Sequence, residues 1–235
     1  RRVRITAKVD YAVRAATEFA DYLRELARVR RVRPADALVS HLAAIEDGGA
    51  RLSEDELVAS AILLLNAGHE ASVNVLGNGM VALLRHPAEL DRIRAEPALV
   101  EPAVEEMIRY DAPLHLFERT ATQDLTIGDI TIRAGEKAAA LLGSANRDPA
   151  VFADPDRFDA GRDPNPHLGF GAGIHFCLGA PLARVELQAA VTTLLRRFGR
   201  LELAEPPVVR PTFVLRGYQE VRVRAGWSGP DLPPY

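Results

Sequence analysis

The stretch FGAGIHFCLG, from Phe170 to Gly179, contains the single cysteine of the 235-residue chain, Cys177, within a run of glycines. Three interpretations of this thiol compete. It is a small buried hydrophobic residue, the usual state of a free cysteine, a nucleophile with His175 as its base, or a thiolate ligand of a metal cofactor. The nucleophile is disfavoured because side chains two residues apart in an extended stretch point the same way, and no third residue that would orient the histidine is evident.

The surroundings of Cys177 favour the thiolate ligand. The residues after it begin a predicted helix, whose free N–H groups and dipole stabilise an anion. Gly171, Gly173 and Gly179 remove side chains where a large flat ligand would approach the backbone. The sequence has no second cysteine and no histidines at metal-ligand spacing, which disfavours an iron–sulfur cluster or a structural zinc. A lone thiolate suits haem, because the porphyrin supplies four further ligands.

The composition sets the wider limits on function. The chain is 48% hydrophobic and 26% charged, as in soluble globular proteins, and its net charge of -3 gives no reason to expect a nucleic acid or a membrane as partner. The longest apolar run, around Ile62 to Leu65, is far shorter than the roughly 20 residues of a membrane span. Arg28 to Arg33 has no interleaved aromatic residues and indicates a solvated helix end. The single cysteine and the lack of a secretory signal lead us to expect a cytoplasmic protein.

Hydrophobic periodicity predicts a mainly α-helical fold with small antiparallel β-sheets, in a single domain over residues 1–235. The chain opens with Arg1 inside a helical pattern, so we expect it to be part of a longer protein. The helical segments are predicted over 1–33, 53–85, 88–95, 98–110 and 181–198. A capping box, Ser53 to Glu56, opens the longest of them. Three glycines inside that helix indicate that something packs close to its backbone: Gly68, Gly77 and Gly79.

The β-structure is predicted in short pieces. Residues 125–132 are typical of a hairpin with glycine in the turn. Further strands are expected over 137–142, 201–203 and 213–223, and the tail over 225–235 is expected to be loose. Residues 146–179 combine an irregular segment, dense in Pro, Asp and Gly, with the cysteine loop.

The cysteine loop resembles a known motif in residue type and spacing. The residues Phe170, Gly171, Gly173, His175, Cys177 and Gly179 resemble the haem-binding signature of bacterial soluble cytochromes P450. Upstream, Glu106-Met-Ile-Arg109 resembles the E-x-x-R pair of the family, and its two ends lie on one helix face within reach of each other. The segment Asp154-Pro-Asp-Arg157-Phe158 resembles the one whose arginine, here Arg157, completes a structural triad.

The resemblance covers essentially the whole chain and implies the C-terminal, haem-binding part of the P450 fold. The helix over 53–85 would cross the distal face, that over 98–110 would carry the triad, and that over 181–198 would be proximal. Cys177 would be the axial ligand of the iron of haem b. The other implied cofactor-binding residues are His175 and Arg119, which pair with the haem propionates in the family, and Phe170, Gly171 and Gly179. The N-terminal part of the fold is expected to be missing, so that the chain alone does not enclose haem fully.

The run Ala67-Gly68-His69-Glu70-Ala71-Ser72 resembles the oxygen-binding stretch of the family, A-G-x-[ED]-T. By this resemblance Ala67 and Gly68 make room for O₂, and Glu70 belongs to the proton supply. Ala71 stands where the alcohol is expected. Ser72 is no simple substitute, because one residue turns a side chain by about 100° around a helix. We hypothesise that bound water or a substrate hydroxyl replaces the alcohol, with Ser72 after a local shift as an alternative.

The implied function is that of a haem-thiolate monooxygenase, which inserts one oxygen atom of O₂ into a small organic substrate. Electrons would come from NAD(P)H through a reductase and a ferredoxin or flavodoxin, and Arg184 is a candidate for docking an acidic partner. We expect His115 either to face the substrate pocket or to have a plain packing role. The alternatives are a peroxide-driven or redox-neutral enzyme of the same fold, and a non-catalytic haem-binding fragment.

Overall fold

The structure, a computed structural model, describes residues 7–47 and 50–227. By their contacts the residues form two compact units, Arg1–His69 and Glu70–Tyr235, which are described separately. One helix, Glu54–Arg85, continues through the boundary. The single domain expected from the sequence therefore stays a prediction.

Helices dominate the described residues, and the strands are short. The α-helices are α1 (Ala7–Val32), α2 (Leu38–Ala44), α3 (Glu54–Arg85), α4 (Pro87–Ala95), α5 (Val100–Tyr110), α6 (Leu142–Ala145) and α7 (Ala180–Arg197). Two 3₁₀-helices span Pro97–Leu99 and Gly173–His175. The strands are β1 (Glu46–Asp47), β2 (Ala50–Arg51), β3 (Leu116–Thr120), β4 (Leu125–Ile127), β5 (Ile130–Ile132), β6 (Lys137–Leu141), β7 (Phe198–Leu203) and β8 (Val223–Trp227). They pair antiparallel as β1–β2, β3–β6, β4–β5 and β7–β8, which confirms the predicted fold class.

In the first unit, the capping box at the start of α3 is confirmed. The N–H of Glu56 donates to the Ser53 hydroxyl at 3.2 Å, and the N–H of Ser53 donates to the Glu56 carboxylate at 2.8 Å. Carboxylates in the first turn also interact favourably with the helix dipole. One of them, Glu54, accepts a 2.8 Å hydrogen bond from Arg28 of α1. The first turn of α3 is therefore fixed by its own cap and by an ion pair to α1.

In the second unit, the C-terminal half of α3 packs with α5 and α7 around one core. Irregular residues between α6 and α7 contribute Phe158 and Ala160 to it. Phe170, from the cysteine loop, is partly buried against the same cluster. The cysteine loop is thus seated on the core of this unit.

Two glycines in this unit allow backbones and side chains to approach closely. A Cβ on Gly79 would lie 2.6 Å from the Met107 sulfur, and a Cβ on Gly169 would lie 2.3 Å from Cγ2 of the fully buried Ile108. The close packing expected for the glycines of α3 is therefore confirmed at Gly79. At Gly77 a Cβ would only touch Val221, at 4.0 Å, and at Gly68 it would meet no described atom within 4 Å.

The β-structure departs from the sequence prediction at four places. The pair β1–β2 and strand β3 were not predicted. The strand predicted over 213–223 is wrong over most of its length, because this segment makes isolated bridges and loop contacts: the N–H of Arg216 donates to the carbonyl of Pro113 at 2.6 Å. Strand β8 runs to Trp227, where the tail was expected to be loose, and residues 228–235 lie outside the described residues. The hairpin β4–β5 is confirmed, with Gly128 at φ +62° in its turn.

The contact of Gly169 with Ile108 gives a prediction about stability. Gly169→Ala is expected to lower the free energy of unfolding by about 1 to 3 kcal/mol, because the added methyl overpacks a closed core. Gly68→Ala should instead raise the free energy of unfolding by up to about 1 kcal/mol, because Gly68 lies within α3 and a Cβ there has open space around it among the described residues. Denaturant unfolding of the two variants checks this, and effects of equal sign would contradict it.

Candidate functional site

The centre of the candidate site is an ion pair inside α5. Glu106 and Arg109 are 0% and 1% exposed. The Arg109 guanidinium donates to both oxygens of the Glu106 carboxylate, at 2.7 and 2.8 Å. The contact expected from their spacing is therefore present. A pair this deeply buried stabilises the fold only if its remaining donors and acceptors are also satisfied.

Arg109 uses its remaining N–H groups on the irregular segment that follows α6. It donates to the carbonyls of Asn146 at 2.7 Å, Pro155 at 2.9 Å and Arg157 at 3.2 Å. The Glu106 carboxylate accepts the N–H of Asp159 at 3.0 Å. The pair therefore fixes the path of a segment that has no helix or strand of its own over residues 146–165.

The third member of this cluster is Arg162, and the prediction of Arg157 was wrong. The Arg162 Nε donates to both oxygens of Glu106, at 3.2 and 3.1 Å, and its side chain is 9% exposed. The Arg157 side chain is 60% exposed, and its guanidinium lies 3.9 Å from Glu89. Arg157 contributes its carbonyl instead, which accepts from Arg109 and Arg162. The turn Asp154–Arg157 directs the carbonyl of Arg157 towards the cluster and the side chain of Arg157 towards solvent.

The cysteine loop takes its shape from its glycines. Gly171 and Gly173 have φ of +71° and +67°, a region that disfavours other residues. The N–H of Cys177 donates to the Phe170 carbonyl at 2.9 Å, which closes the loop. Cys177 is half-buried, and a Cβ on Gly179 would lie 4.0 Å from its sulfur. The first two glycines thus serve the backbone turn, and Gly179 leaves space beside the thiol.

A second carboxylate of α5 lies beneath this loop. Glu105 accepts two hydrogen bonds from Arg184 of α7, at 2.7 and 2.8 Å, and one from Nε2 of His167 at 3.0 Å. Burial opposes ionisation of Glu105, but the hydrogen bonds from His167 and Arg184 outweigh it and lower the pKa of the carboxyl to about 2. Glu105 is therefore a carboxylate at neutral pH.

The sequence suggested that Arg184 docks an acidic partner. In the structure its guanidinium is instead hydrogen-bonded to the Glu105 carboxylate. Its guanidinium carbon lies 4.6 Å from the centroid of the Phe170 ring. Hydrogen bonding to Glu105 raises the pKa of Arg184 against the opposing effect of burial, and Cys177 acts in the same direction as Glu105. The sequence analysis missed Glu105, His167 and Arg162. One signal in the sequence could have pointed to Glu105: it is an acidic residue directly before Glu106, in the same predicted helix.

A cavity of about 860 Å³ brings three predicted cofactor-binding residues together: Arg119, Gly171 and His175. Its volume is within the range of ligand pockets in proteins. Its walls are mostly apolar and come from the β3–β6 pair, the β4–β5 hairpin, and α6 and the residues after it: Phe117, Leu125, Ile127, Ile132, Ala138, Ala139, Ala140, Leu142 and Leu168. Arg119 is exposed at its rim and stacks on Phe117, with its guanidinium carbon 5.4 Å from the ring centroid.

Other predicted residues lie elsewhere among the described residues. Phe170 packs on the core and on Arg184, and it is not among the residues that line this cavity. His115, expected either to face a pocket or to pack, packs its ring against Gly143 and edge-on to Phe213. Burial lowers the pKa of His115, and the Arg216 cation adds to the effect.

The predicted oxygen-binding stretch lies in the middle of α3. Ala67 and Gly68 are exposed and belong to the first unit, whereas Glu70 and Ser72 belong to the second. The Glu70 carboxylate is 56% exposed and accepts a 3.2 Å hydrogen bond from Arg210. Arg210 also donates to the carbonyl of Tyr218 at 3.0 Å. The carboxylate of Glu70 is therefore paired but open to water.

Residues 6–216 match the family model described as Cytochrome P450. The chain belongs to the cytochrome P450 family. It is 44% identical over 203 residues to the biotin biosynthesis cytochrome P450 of Bacillus subtilis, with 86% of this chain and 51% of the relative covered. It is 42% identical over 214 residues to the 6-deoxyerythronolide B hydroxylase of Saccharopolyspora erythraea, with 89% and 53% covered. The chain spans about half the length of the curated relatives it matches.

Solved structures agree with this P450 assignment. The crystal structure of P450BioI in complex with an acyl carrier protein that carries hexadec-9Z-enoic acid superposes with a TM-score of 0.89 at 41% identity, over 94% of this chain and 57% of that one. CYP109E1 from Bacillus megaterium in complex with testosterone gives a TM-score of 0.88 at 33% identity, over 92% and 61%. Membership of the family implies a haem iron cofactor. Over residues 7–47 and 50–227, no helix combines the length and apolar character needed to cross a membrane.

The assignment of Arg162, rather than Arg157, as the third member of the buried cluster can be tested directly. Arg162→Gln is expected to lower the free energy of unfolding by about 2 to 3 kcal/mol, because Glu106 loses a charged donor in a buried site. Arg157→Gln keeps the carbonyl that the cluster uses and should change it by no more than about 0.5 kcal/mol. Denaturant unfolding of both variants decides the matter, and a larger loss for Arg157→Gln would restore the original assignment.

Proposed function

We propose that the protein containing this chain is a haem-thiolate monooxygenase. The observation that carries the proposal is the cysteine loop, in which glycines with positive φ hold Cys177 half-buried, and whose Gly171 and His175 line a cavity together with Arg119. Neither a buried structural cysteine nor a protease-type nucleophile accounts for these cationic and hydrogen-bonding groups around a mostly apolar space. A flat apolar ligand with anionic substituents accounts for all of them.

The donor set fits haem b. The Cys177 thiolate would be the axial ligand of the iron, and Arg119 and His175 would bind the two propionates. Gly171, whose backbone lines the same cavity, leaves room for the edge of the macrocycle. When bound, haem supplies the reductive activation of O₂ for the reaction RH + O₂ + 2 electrons + 2 protons → ROH + H₂O.

The surroundings of Cys177 suit a ligand of this kind. The carbonyl of Cys177 accepts the N–H of Ala180, so that α7 begins directly after the loop with the positive end of its dipole towards it. The Arg184 cation lies near enough to the thiol for their charges to interact.

Proton supply is where this chain departs from the family pattern. Glu70 stands at the acid position of the motif and accepts a 3.2 Å hydrogen bond from Arg210. Ala71 offers no hydroxyl to pass a proton on. We infer that bound water or a hydroxyl of the substrate occupies that place, which would restrict turnover to substrates that carry or order such a group.

The substrate is inferred to be a small organic molecule, and the reaction an oxygen insertion. Relatives at similar identity are named as a hydroxylase of 6-deoxyerythronolide B, an N-oxygenase of nocardicin C and a 25-hydroxylase of vitamin D(3). Electrons would come from NAD(P)H through a reductase and a ferredoxin or flavodoxin, in the cytoplasm. The residue at the alcohol position, Ala71, favours one second candidate, a peroxide-driven or redox-neutral enzyme with the same thiolate-bound haem.

The thiolate bond is tested by the carbon-monoxide difference spectrum of the reduced full-length protein. The wild type is expected to show the strongly red-shifted Soret band of a thiolate-ligated haem, and Cys177→Ala should lose it. Ile174→Ala is the matched control, since this residue of the same loop is 98% exposed and should keep the band. If Cys177→Ala retained the spectrum of the wild type, the assignment of the ligand would be lost.

The inference about Ala71 is tested by the coupling of product to NAD(P)H. Substrates are first found as spin-state shifts among hydroxylated macrocycles, terpenoids and fatty acids. On an analogue without the hydroxyl, Ala71→Thr is expected to raise product per NAD(P)H several-fold, because it restores a proton-relaying alcohol that is worth roughly 100-fold or more in favourable cases.

Two controls separate the alternatives to this inference. Ser72→Ala should leave coupling on the parent substrate unchanged, and a large loss would assign the proton relay to Ser72. Efficient turnover of the wild type with hydrogen peroxide and no NAD(P)H would favour the second candidate function. Unchanged coupling of Ala71→Thr on the analogue would contradict the role given to the substrate or water.

A further inference from the structure

We propose that Glu105 is a positioning residue for the cysteine loop, which it holds at both ends in the conformation in which Cys177 would bind the haem iron. The proposal rests on the haem-thiolate function proposed above. It concerns a residue outside the E-x-x-R pair, and it assigns the two neighbouring carboxylates of α5 to different tasks.

The first contact is at the start of the loop. His167 is 4% exposed in its side chain and lies 3.0 Å from Glu105. Its Nδ1 accepts the N–H of Gly169 at 3.1 Å, so the proton of the neutral ring is on Nε2 and is donated to the carboxylate. Gly169 is itself held against Ile108. The entry to the loop is therefore fixed through one histidine tautomer.

The second contact is on the helix after the loop. Arg184 binds Glu105 through two parallel hydrogen bonds, a geometry that fixes the plane of the guanidinium. That plane lies over the ring of Phe170 at 4.6 Å. The Phe170 carbonyl in turn accepts the N–H of Cys177. Glu105 is thus connected to the backbone of the cysteine through Arg184 and Phe170, as well as through His167.

Removing the charge of Glu105 should loosen both contacts without removing the side chain. Glutamine at this position has one oxygen acceptor, whereas the carboxylate accepts from Arg184 with both oxygens and from His167 with one of them. The arginine would then lose its fixed plane, and the loop would gain conformations in which the Cys177 sulfur is displaced from the position required of the ligand. Partners of this kind around metal ligands typically change metal affinity or activity by about 10- to 100-fold when mutated.

The experiment uses the full-length haem protein in its reduced carbon-monoxide complex. The measured quantity is the rate at which the red-shifted thiolate band converts to the band of neutral-thiol ligation. In Glu105→Gln this rate is expected to rise by about tenfold. Glu101→Gln is the matched control: it removes the same charge from an exposed residue of the same helix, whose carboxylate is the weakest of the charges that act on Arg184, and it should stay within about twofold of the wild type.

A second pair of variants separates positioning from stability. Val81→Ala opens a small space at a buried residue of α3 and lowers the unfolding temperature without touching the loop. Arg184→Lys keeps the charge but loses the paired hydrogen bonds and the stacking. It should speed the conversion as Glu105→Gln does, and the double variant should be no faster than the faster single one, because both act on the same contact. Arg184→Lys also keeps the test open if Glu105→Gln does not fold.

The results can show separately whether the proposed haem-thiolate function fails or only the role of Glu105. A wild type without the red-shifted band would overturn the proposed function and this inference with it. A wild type with the band, and a Glu105→Gln rate equal to that of Glu101→Gln, would overturn the inference alone. An equal acceleration in Val81→Ala at matched unfolding temperature would assign Glu105 a purely structural role and would also overturn it.

Discussion

The buried ion pair of Glu106 and Arg109 is the interaction on which the second unit depends. Moving two charges out of water costs several kcal/mol per ion unless each finds full compensation. The chain provides it from residues 146–165, whose carbonyls and N–H groups turn towards the pair. The dependence runs both ways, because that segment has no sheet or helix to satisfy its own backbone. The pair therefore substitutes for secondary structure in the region that leads to the cysteine.

The contacts that hold the candidate site continue from this pair towards the C-terminus of the chain. Glu106 fixes the segment up to Asn165, and Glu105, one residue away on α5, binds His167 and Arg184 on either side of the loop. Because adjacent helix residues project about 100° apart, one rigid turn serves both regions without competition between them. The cysteine loop is thereby attached to a largely buried helix.

The sequence predicted what local chemistry determines and missed what tertiary contacts decide. The bounds of α3, α5 and α7 came within one or two residues, because a capping box, prolines and helical periodicity are local signals. The cysteine loop followed from strict spacing. Arg157 was assigned from the resemblance of its segment to the family's, and an irregular segment has no period to show that the Arg162 side chain turns inward instead. The run over 213–223 has strand-forming residues, but its hydrogen bonds go to a neighbouring loop, which no local pattern reveals.

Three glutamates illustrate how exposure decides what one residue type can do. Glu106 has no exposed side-chain surface and two arginine partners, so it is confined to a structural ion pair. Glu105 keeps 21% of its side chain exposed and faces the groups that shape the loop, so its charge can act on geometry near the thiol. Glu70 is 56% exposed, with the Arg210 cation beside it. A family motif names the residue type at each position, but burial and partners distinguish these three carboxylates.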